Sequence, residues 1–336
     1  MKQQSALDLK TEWLTIFLPK LAGEMDRGKK LVSGMRAMAV DTAGLDLTEG
    51  LAIGITKQKE GGFAMALHVE RRSMAESDVV EKLRKQAGGE LVVRITGHAR
   101  TMAGERQQGK VRPLEPGLSV SHVKVTAGTL GGFAEMKGDP AGVHILSNNH
   151  VLANENVSRL GDEIVQPGSL DGGKVPRDTV ALLSARKLIS FKKPNRCDGA
   201  LARLVDGIKY TGNRFPGIGL LKGIKEAEPG MKVFKVGRTT GLTHGKINDI
   251  EVDRRYVSFG KGDARFDGII SIESAKKGQP FCDGGDSGSL IISEDGYAVG
   301  LLFAGTDFGG AFDQGLTYAN RIQDVLKILK AELIMV

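Results

Sequence analysis

The sequence predicts a mainly β protein with a small α+β unit in front of it, and three observations carry that reading. Glycine supplies 46 of 336 residues, about twice the usual share, without the G-X-Y period of a collagen. From about residue 118 onward, short apolar runs alternate with Gly, Asn, Asp and Pro, the texture of a sandwich or barrel rather than a βαβ fold. Before that point the apolar spacing is helical and then strand-like. Many tight turns and short strands follow from such a composition.

In chain order, Leu7, Trp13, Leu14, Phe17, Leu18, Leu21 and Met25 recur at spacings of three and four, giving a helix with one apolar face. Residues 51–56 and 63–69 read as strands joined through Gly61-Gly62. Ser77 can cap a helix carrying Val79, Val80 and Leu83, stopped by Gly88-Gly89, and 91–95 is a further strand. The N-terminal domain is thus a helix plus ββαβ, ending with its linker at 110. Residues 99–117 are polar, basic and linker-like; Gly104 followed by Gly109-Lys110 misses a phosphate-binding loop because Val111 lacks the hydroxyl and no strand or helix flanks it. Strands are expected at 143–146, 164–165, 180–183, 200–205, 233–236, 246–252, 269–272, 290–292 and 299–303. Asn320 can cap a terminal helix, about 320–334, with Ile322, Val325, Leu326, Leu329 and Leu333 on one face.

Composition excludes several functions. The formal charge of +7 is scattered in short clusters without interleaved aromatics, which argues against a nucleic-acid groove. No apolar stretch approaches a membrane span, so no membrane partner is expected. Cys197 and Cys282 are too few for a disulfide framework or a four-ligand zinc site, and read as buried free thiols. No His/Cys/Asp/Glu cluster has metal-ligand spacing, and no cofactor is implied. Without a signal peptide in MKQQSALDLKTEW, the expected location is cytoplasmic.

Three stretches carry chemistry. His150 lies where the apolar run Ile145-Leu146 breaks into Ser147-Asn148-Asn149, Asp198 enters the apolar run Gly199-Ala200-Leu201, and Ser287 sits within Gly284-Gly285-Asp286-Ser287-Gly288. A serine hydroxyl needs a base, histidine can take and return the proton, and a buried carboxylate fixes the imidazole tautomer. The order His, Asp, Ser removes the α/β-hydrolase scaffold, whose histidine follows the serine, since the last histidine is His244; it also removes the subtilisin order. The other histidines, His68, His98, His122, His144 and His244, are read as structural.

On Asn149-His150-Val151, Asp198-Gly199-Ala200-Leu201 and Gly285-Asp286-Ser287-Gly288, the chain resembles the trypsin-like (chymotrypsin-fold) serine peptidases. LSNNHVLAN, QPGSLDGG and VGRTTGLTHGKI are similar to its bacterial, non-secreted branch. The resemblance covers about 112–336 and implies two six-stranded barrels, near 118–215 and 216–318, within a peptidase domain at 111–336. It implies His150, Asp198 and Ser287 as the triad, Gly285 and Ser287 N–H groups as the oxyanion hole, and Phe281, Asp283 and Asp286 as residues shaping the site. The substrate would be a protein or peptide.

Departures matter. Ser289 replaces the family's second glycine after the serine and would place a side chain near a substrate strand, and position 281 is Phe rather than an acid. Asp286 matches an acid that in many relatives pairs with a freshly cut N-terminal amine, yet over a hundred residues precede this barrel. Either another group satisfies Asp286, or the enzyme is regulated through the linker or N-terminal domain, by self-cleavage or an activating partner. The turn at Thr239-Thr240-Gly241 is expected to be a hairpin and no part of the site. The reading is a serine endopeptidase; its alternative is a catalytically silent binding or scaffold protein on a peptidase fold.

Overall fold

In the computed structural model, residues 1–19, 51–58, 61–70, 72–96, 99–100 and 109–335 are described. Many strands are buried along nearly their whole length, as 269–274, 290–293 and 297–305 are, while 232–237 and 255–259 alternate buried with partly exposed positions. The first barrel is built from β5 (Ser119–His122), β6 (Gly128–Thr129), β7 (Gly132–Met136), β8 (Asp139–Ser147), β9 (Glu163–Val165), β10 (Thr179–Arg186) and β11 (Ala200–Leu204). Its sheet runs β7-β8-β11-β10-β9-β5-β6. Phe133, Ile145, Ile164, Val180 and Ala202 fill it.

The second barrel closes fully. Its six strands are β12 (Lys232–Gly237), β13 (Gly241–Asp253), β16 (Ile269–Ser274), β17 (Leu290–Ser293), β18 (Tyr297–Gly305) and β19 (Leu316–Arg321), with a hairpin of β14 (Arg255–Phe259) and β15 (Gly262–Phe266) outside the ring. Pairing runs β12-β13-β16-β19-β18-β17 and back to β12, antiparallel throughout. The ring is closed, but β13 beyond Lys246 and β18 beyond Leu302 run past their β12 and β17 partners and keep an edge there.

The N-terminal unit is the helix plus ββαβ that its periodicity predicts: α1 (Gln3–Glu12), β1 (Leu51–Lys57), β2 (Phe63–Val69), α2 (Asp78–Gln86) and β3 (Leu91–Ile95). Ser77 caps α2 by accepting from the Val80 N–H at 3.5 Å, and Gly88 and Gly89 end it at positive φ. Leu21 and Met25 lie outside the described residues.

This unit shares its core with the second barrel. β1 pairs antiparallel with β13, so β1-β2-β3 prolongs the barrel's sheet. Leu51, Ile53 and Met65 belong to the same apolar cluster as Val233, Ile247, Ile272 and Val299. Lys10 reaches from α1 to the Asp253 carboxylate at 3.1 Å.

A buried polar network also crosses the seam. His68 Nε2 lies 2.6 Å from Asp249 Oδ2 and its Nδ1 lies 2.7 Å from the Tyr318 hydroxyl, all three residues having no solvent exposure. Arg94 and Ser271 donate to the same carboxylate. Burial disfavours charge on Asp249, but Arg94 and these bonds hold its carboxyl below the usual range. Burial lowers His68 against the pull of Asp249, so the imidazole is neutral, donating to Asp249 and accepting from Tyr318.

Three expectations at the C-terminus and linker are corrected. The terminal helix, α4, is Ile322–Leu329, with Arg321 at its N-cap and no side-chain cap bond. Asn320 instead lies in β19. Leu333 belongs to a strand, β20 (Ala331–Leu333), which pairs with β7 of the first barrel. Within the linker, β4 (Ala99–Arg100) lies between β14 and β18, Arg100 standing opposite Gly305. The near-miss phosphate loop falls partly outside the described residues, and Lys110 from it pairs with Asp178 at 2.9 Å.

Two outcomes are expected. A chain beginning at residue 111 leaves Val233, Ile247 and Ile272 without their cover, and loses cooperative unfolding; a soluble, cooperatively melting fragment would contradict the shared core. Because folding lowers the His68 and Asp249 values, the unfolded state binds more protons, so stability rises with pH and falls as pH drops below about 6.5. His68→Gln should flatten that slope in urea titrations, whereas an unchanged slope would remove His68 from the network's linkage.

Candidate active site

The local fold places each of the three key side chains at a strand end. His150 stands in a single helical turn, α3 (Asn149–Leu152), directly after β8. Asp198 precedes β11, with Gly199 behind it. A Cβ at Gly199 would lie 2.8 Å from Cys197 Sγ and 3.2 Å from Leu329, so the glycine lets α4 close down on the Asp198 turn. Ser287 sits in the loop entering β17, between Gly285 at φ +91° and Gly288 at φ +98°.

His150 and Asp198 are joined. His150 Nδ1 is 2.5 Å from Asp198 Oδ2, and the His150 backbone N–H donates to the other carboxylate oxygen at 3.2 Å. Nδ1 therefore carries the proton and Nε2 presents a lone pair. Asp198 is fully buried, its own N–H donating to Asn320 Oδ1 at 2.9 Å and its carbonyl accepting from Asn148 Nδ2 at 2.7 Å. Phe259 sets its ring edge to His150, centroids 6.2 Å apart.

Thr129 ties the serine loop to the first barrel. Its N–H donates to the Ser287 carbonyl at 2.8 Å and its hydroxyl to the Gly285 carbonyl at 2.8 Å, while its own carbonyl accepts from Ser147 Oγ at 2.7 Å. Ser147 ends the strand that leads to His150. A side chain at Gly288 would collide with Ser147 and Thr129, which explains a glycine there better than turn flexibility alone. Ser287 is buried, at 3% exposure, and its hydroxyl is not hydrogen-bonded to His150 in this structure.

Asp286 finds its counter-charge inside the chain. Lys235 Nζ lies 3.1 Å from Asp286 Oδ2, both side chains without solvent exposure. The carboxylate also accepts from Thr239 N–H at 2.8 Å, Thr240 N–H at 3.1 Å, Thr240 Oγ1 at 2.6 Å and Asp283 N–H at 3.0 Å. Of the two options for Asp286, another group satisfies it. The turn at Thr239-Thr240-Gly241 is a hairpin between β12 and β13 as expected, but it is also part of the site's support.

Ser289 corrects a second expectation. It is fully buried and turns inward, its hydroxyl donating to the Asp286 carbonyl at 2.6 Å, so it does not obstruct a substrate strand. Phe281 is buried against Gly245, its carbonyl accepting from Thr243 Oγ1 at 2.7 Å. Asp283 is exposed, and its carboxylate accepts from the Gly284 N–H at 2.7 Å.

The other titratable candidates are structural. Cys197 and Cys282 are buried free thiols, both pushed up by burial, Cys282 to about 12, so neither is a thiolate nucleophile. His122 pairs with Asp162 at 3.2 Å, His144 with the Gly142 carbonyl at 2.9 Å, and His244 packs on Phe234. His98 lies outside the described residues. Among the described residues, no three His, Cys, Asp or Glu side chains converge as a metal site.

Sequence reasoning missed Lys235, Thr239, Arg238, Asp171 and Asn320. For Lys235 a signal existed. It occupies an inward position of β12 between Val233 and Gly237, where alternation calls for an apolar residue.

Paired barrels, a histidine bonded to an aspartate and a glycine-flanked serine at strand ends are features that the chain shares with the trypsin-like serine peptidases. Residues 177–331 match the model of peptidase family S64. Among solved structures, Thermobifida fusca Protease A is 17% identical with a TM-score of 0.46, over 66% of this chain and 98% of its own. The chymotrypsin of Cellulomonas bogoriensis is 17% identical with a TM-score of 0.45, over the same shares. A Nocardiopsis protease is 18% identical with a TM-score of 0.46, again over 66% and 98%.

Lys235→Met strands a buried carboxylate, and the expected loss is about 3–5 kcal/mol in urea unfolding. A loss below 1 kcal/mol, on the order of an exposed ion pair, would show that the pair is not what neutralises Asp286.

Proposed function

We propose that the protein is a serine endopeptidase in which Ser287 is the nucleophile, His150 the general base and acid, and Asp198 the residue that orients the imidazole. The single observation that supports this most is the 2.5 Å bond between His150 Nδ1 and Asp198, which leaves Nε2 as the acceptor on the open side of the ring. Ser287 Oγ attacks the scissile carbonyl as its proton passes to Nε2. The oxyanion is held by the Gly285 and Ser287 N–H groups, each such donor contributing about 3–4 kcal/mol. Collapse returns the proton to the leaving amine, and water then cleaves the acyl-enzyme by the reverse sequence. The cytoplasm is the proposed compartment, in keeping with two free thiols.

The linker is proposed as the regulator, and the position of β4 supports it. Gly288 N–H donates to the Leu302 carbonyl and Leu302 N–H to Ser289, so the serine loop lies along one edge of β18. Gly305 pairs with Thr317 on the opposite side, which puts Arg100 on the serine's edge, three residues or roughly 10 Å farther along. A substrate adding as a strand to that edge meets β4 already there. Its displacement, by a partner or by cleavage within the linker, would then admit peptide substrates. The amine that cleavage creates is not needed, because Lys235 already serves Asp286.

A fluorophosphonate probe tests the catalytic reading. Ser287 Oγ displaces fluoride, forming the O–P bond as the P–F bond breaks and the serine proton goes to His150. Wild type should label at Ser287, Ser287→Ala should not, and Asp198→Asn should slow labelling by about 10⁴-fold. An unlabelled wild type would favour the silent scaffold instead. For the linker, Ala99→Pro should raise turnover of a long peptide while leaving the small probe's rate unchanged; equal peptide turnover would remove β4 from regulation.

A further inference from the structure

The support under the serine loop contains a second buried ion pair that the triad does not use. Arg238, in the β12–β13 turn, donates from Nε to Asp171 Oδ2 at 2.8 Å and also from Nη2, both side chains being without solvent exposure. Asp171 belongs to the first barrel, where it also accepts from Ser119 Oγ. Arg238 Nη1 donates to Thr239 Oγ1 at 3.2 Å. That hydroxyl has one proton to give, and it goes to the carbonyl of Gly284. The Thr239 N–H is committed to Asp286 at 2.8 Å. One residue thus joins both buried ion pairs to the peptide that precedes Gly285.

The geometry points to Thr239 as the positioning residue that keeps the oxyanion hole formed. In a trans peptide the carbonyl and the N–H point in opposite directions. With the Gly284 carbonyl drawn toward Thr239, the Gly285 N–H faces away from Thr239, toward the space beside Ser287. Rotating that peptide by half a turn would aim a carbonyl oxygen at the developing oxyanion and turn a donor into a repulsive group. The Gly284-Gly285 dipeptide has little intrinsic resistance to such a rotation. Thr239 supplies it: a Cβ at Gly285 would lie 2.7 Å from Thr239 Oγ1 and 2.8 Å from Arg238 Nη1, so the turn packs directly beneath the loop. The inference rests on the peptidase reading and deepens it, by stating what holds the Gly285 donor in place before any substrate binds.

Kinetics of fluorophosphonate labelling on the whole chain test it. Thr239→Val keeps the shape and removes the hydroxyl; it should lower the limiting labelling rate constant about 10²-fold, the effect of losing one oxyanion donor, with unchanged half-saturation by the probe. Thr239→Ser restores the hydroxyl and should restore the rate. A purely structural role would instead reduce the fraction of chains labelled while the rate constant of that fraction stayed at the wild-type value, and this outcome overturns the proposal. If Thr239→Val does not fold, Thr239→Ala is measured against Thr239→Ser in its place, and equal rates for those two overturn it as well. Failure of the wild type to label at Ser287 is a different result, and it overturns the peptidase reading together with this one.

Discussion

A carboxylate buried without any solvent exposure cannot stay charged without a partner, and the serine loop is built around one, Asp286. Its neighbours in sequence are Gly285 and Ser287, so whatever satisfies Asp286 also fixes the loop that carries Ser287. Here Lys235 supplies the charge from the strand before the Arg238-Thr239-Thr240 turn, and that turn supplies three of the hydrogen bonds. The Thr239 hydroxyl then reaches Gly284. Charge compensation and backbone orientation are thereby one arrangement, formed within the second barrel and anchored to the first through Asp171 and Thr129.

The N-terminal residues pack on the same barrel. They add three strands to β13, share its apolar core and contribute His68 and Arg94 to the network around Asp249. Tyr318 closes that network on β19, and two residues farther along the same strand Asn320 accepts from the Asp198 N–H. One strand thus touches both the seam and the support of Asp198. β4 completes the connection by carrying the chain from the seam to the edge of β18.

Much of this was legible in the residues. Most strands of both barrels follow from short apolar runs bounded by turn residues, though those at 119–122, 128–129, 132–136 and 316–321 do not, and the triad candidates follow from residue type and chain order. The N-terminal ββαβ was also visible, because its cap at Ser77 and stop at Gly88-Gly89 are local signals. What escaped depends on contacts between residues far apart in the chain. Asn320 has the composition of a helix cap, yet 122 positions earlier Asp198 offers its N–H, and that partner keeps Asn320 in the strand. Ser289 resembles an obstruction until the Asp286 carbonyl turns it inward. That β1 pairs with β13 is a matter of two apolar edges meeting, and neither edge announces its partner. Lys235 is the exception that could have been read, since a lysine in the inward register of a strand demands a buried acid.

Internal cations and the Thr239 turn hold the Ser287 loop in a chain that has not been cut. Intact-mass measurement of the protein after brief exposure to a fluorophosphonate, with peptide mapping of the adduct, addresses this directly. Molecules uncut between residues 99 and 117 should carry one adduct on Ser287. An adduct confined to molecules cut within that segment would contradict it.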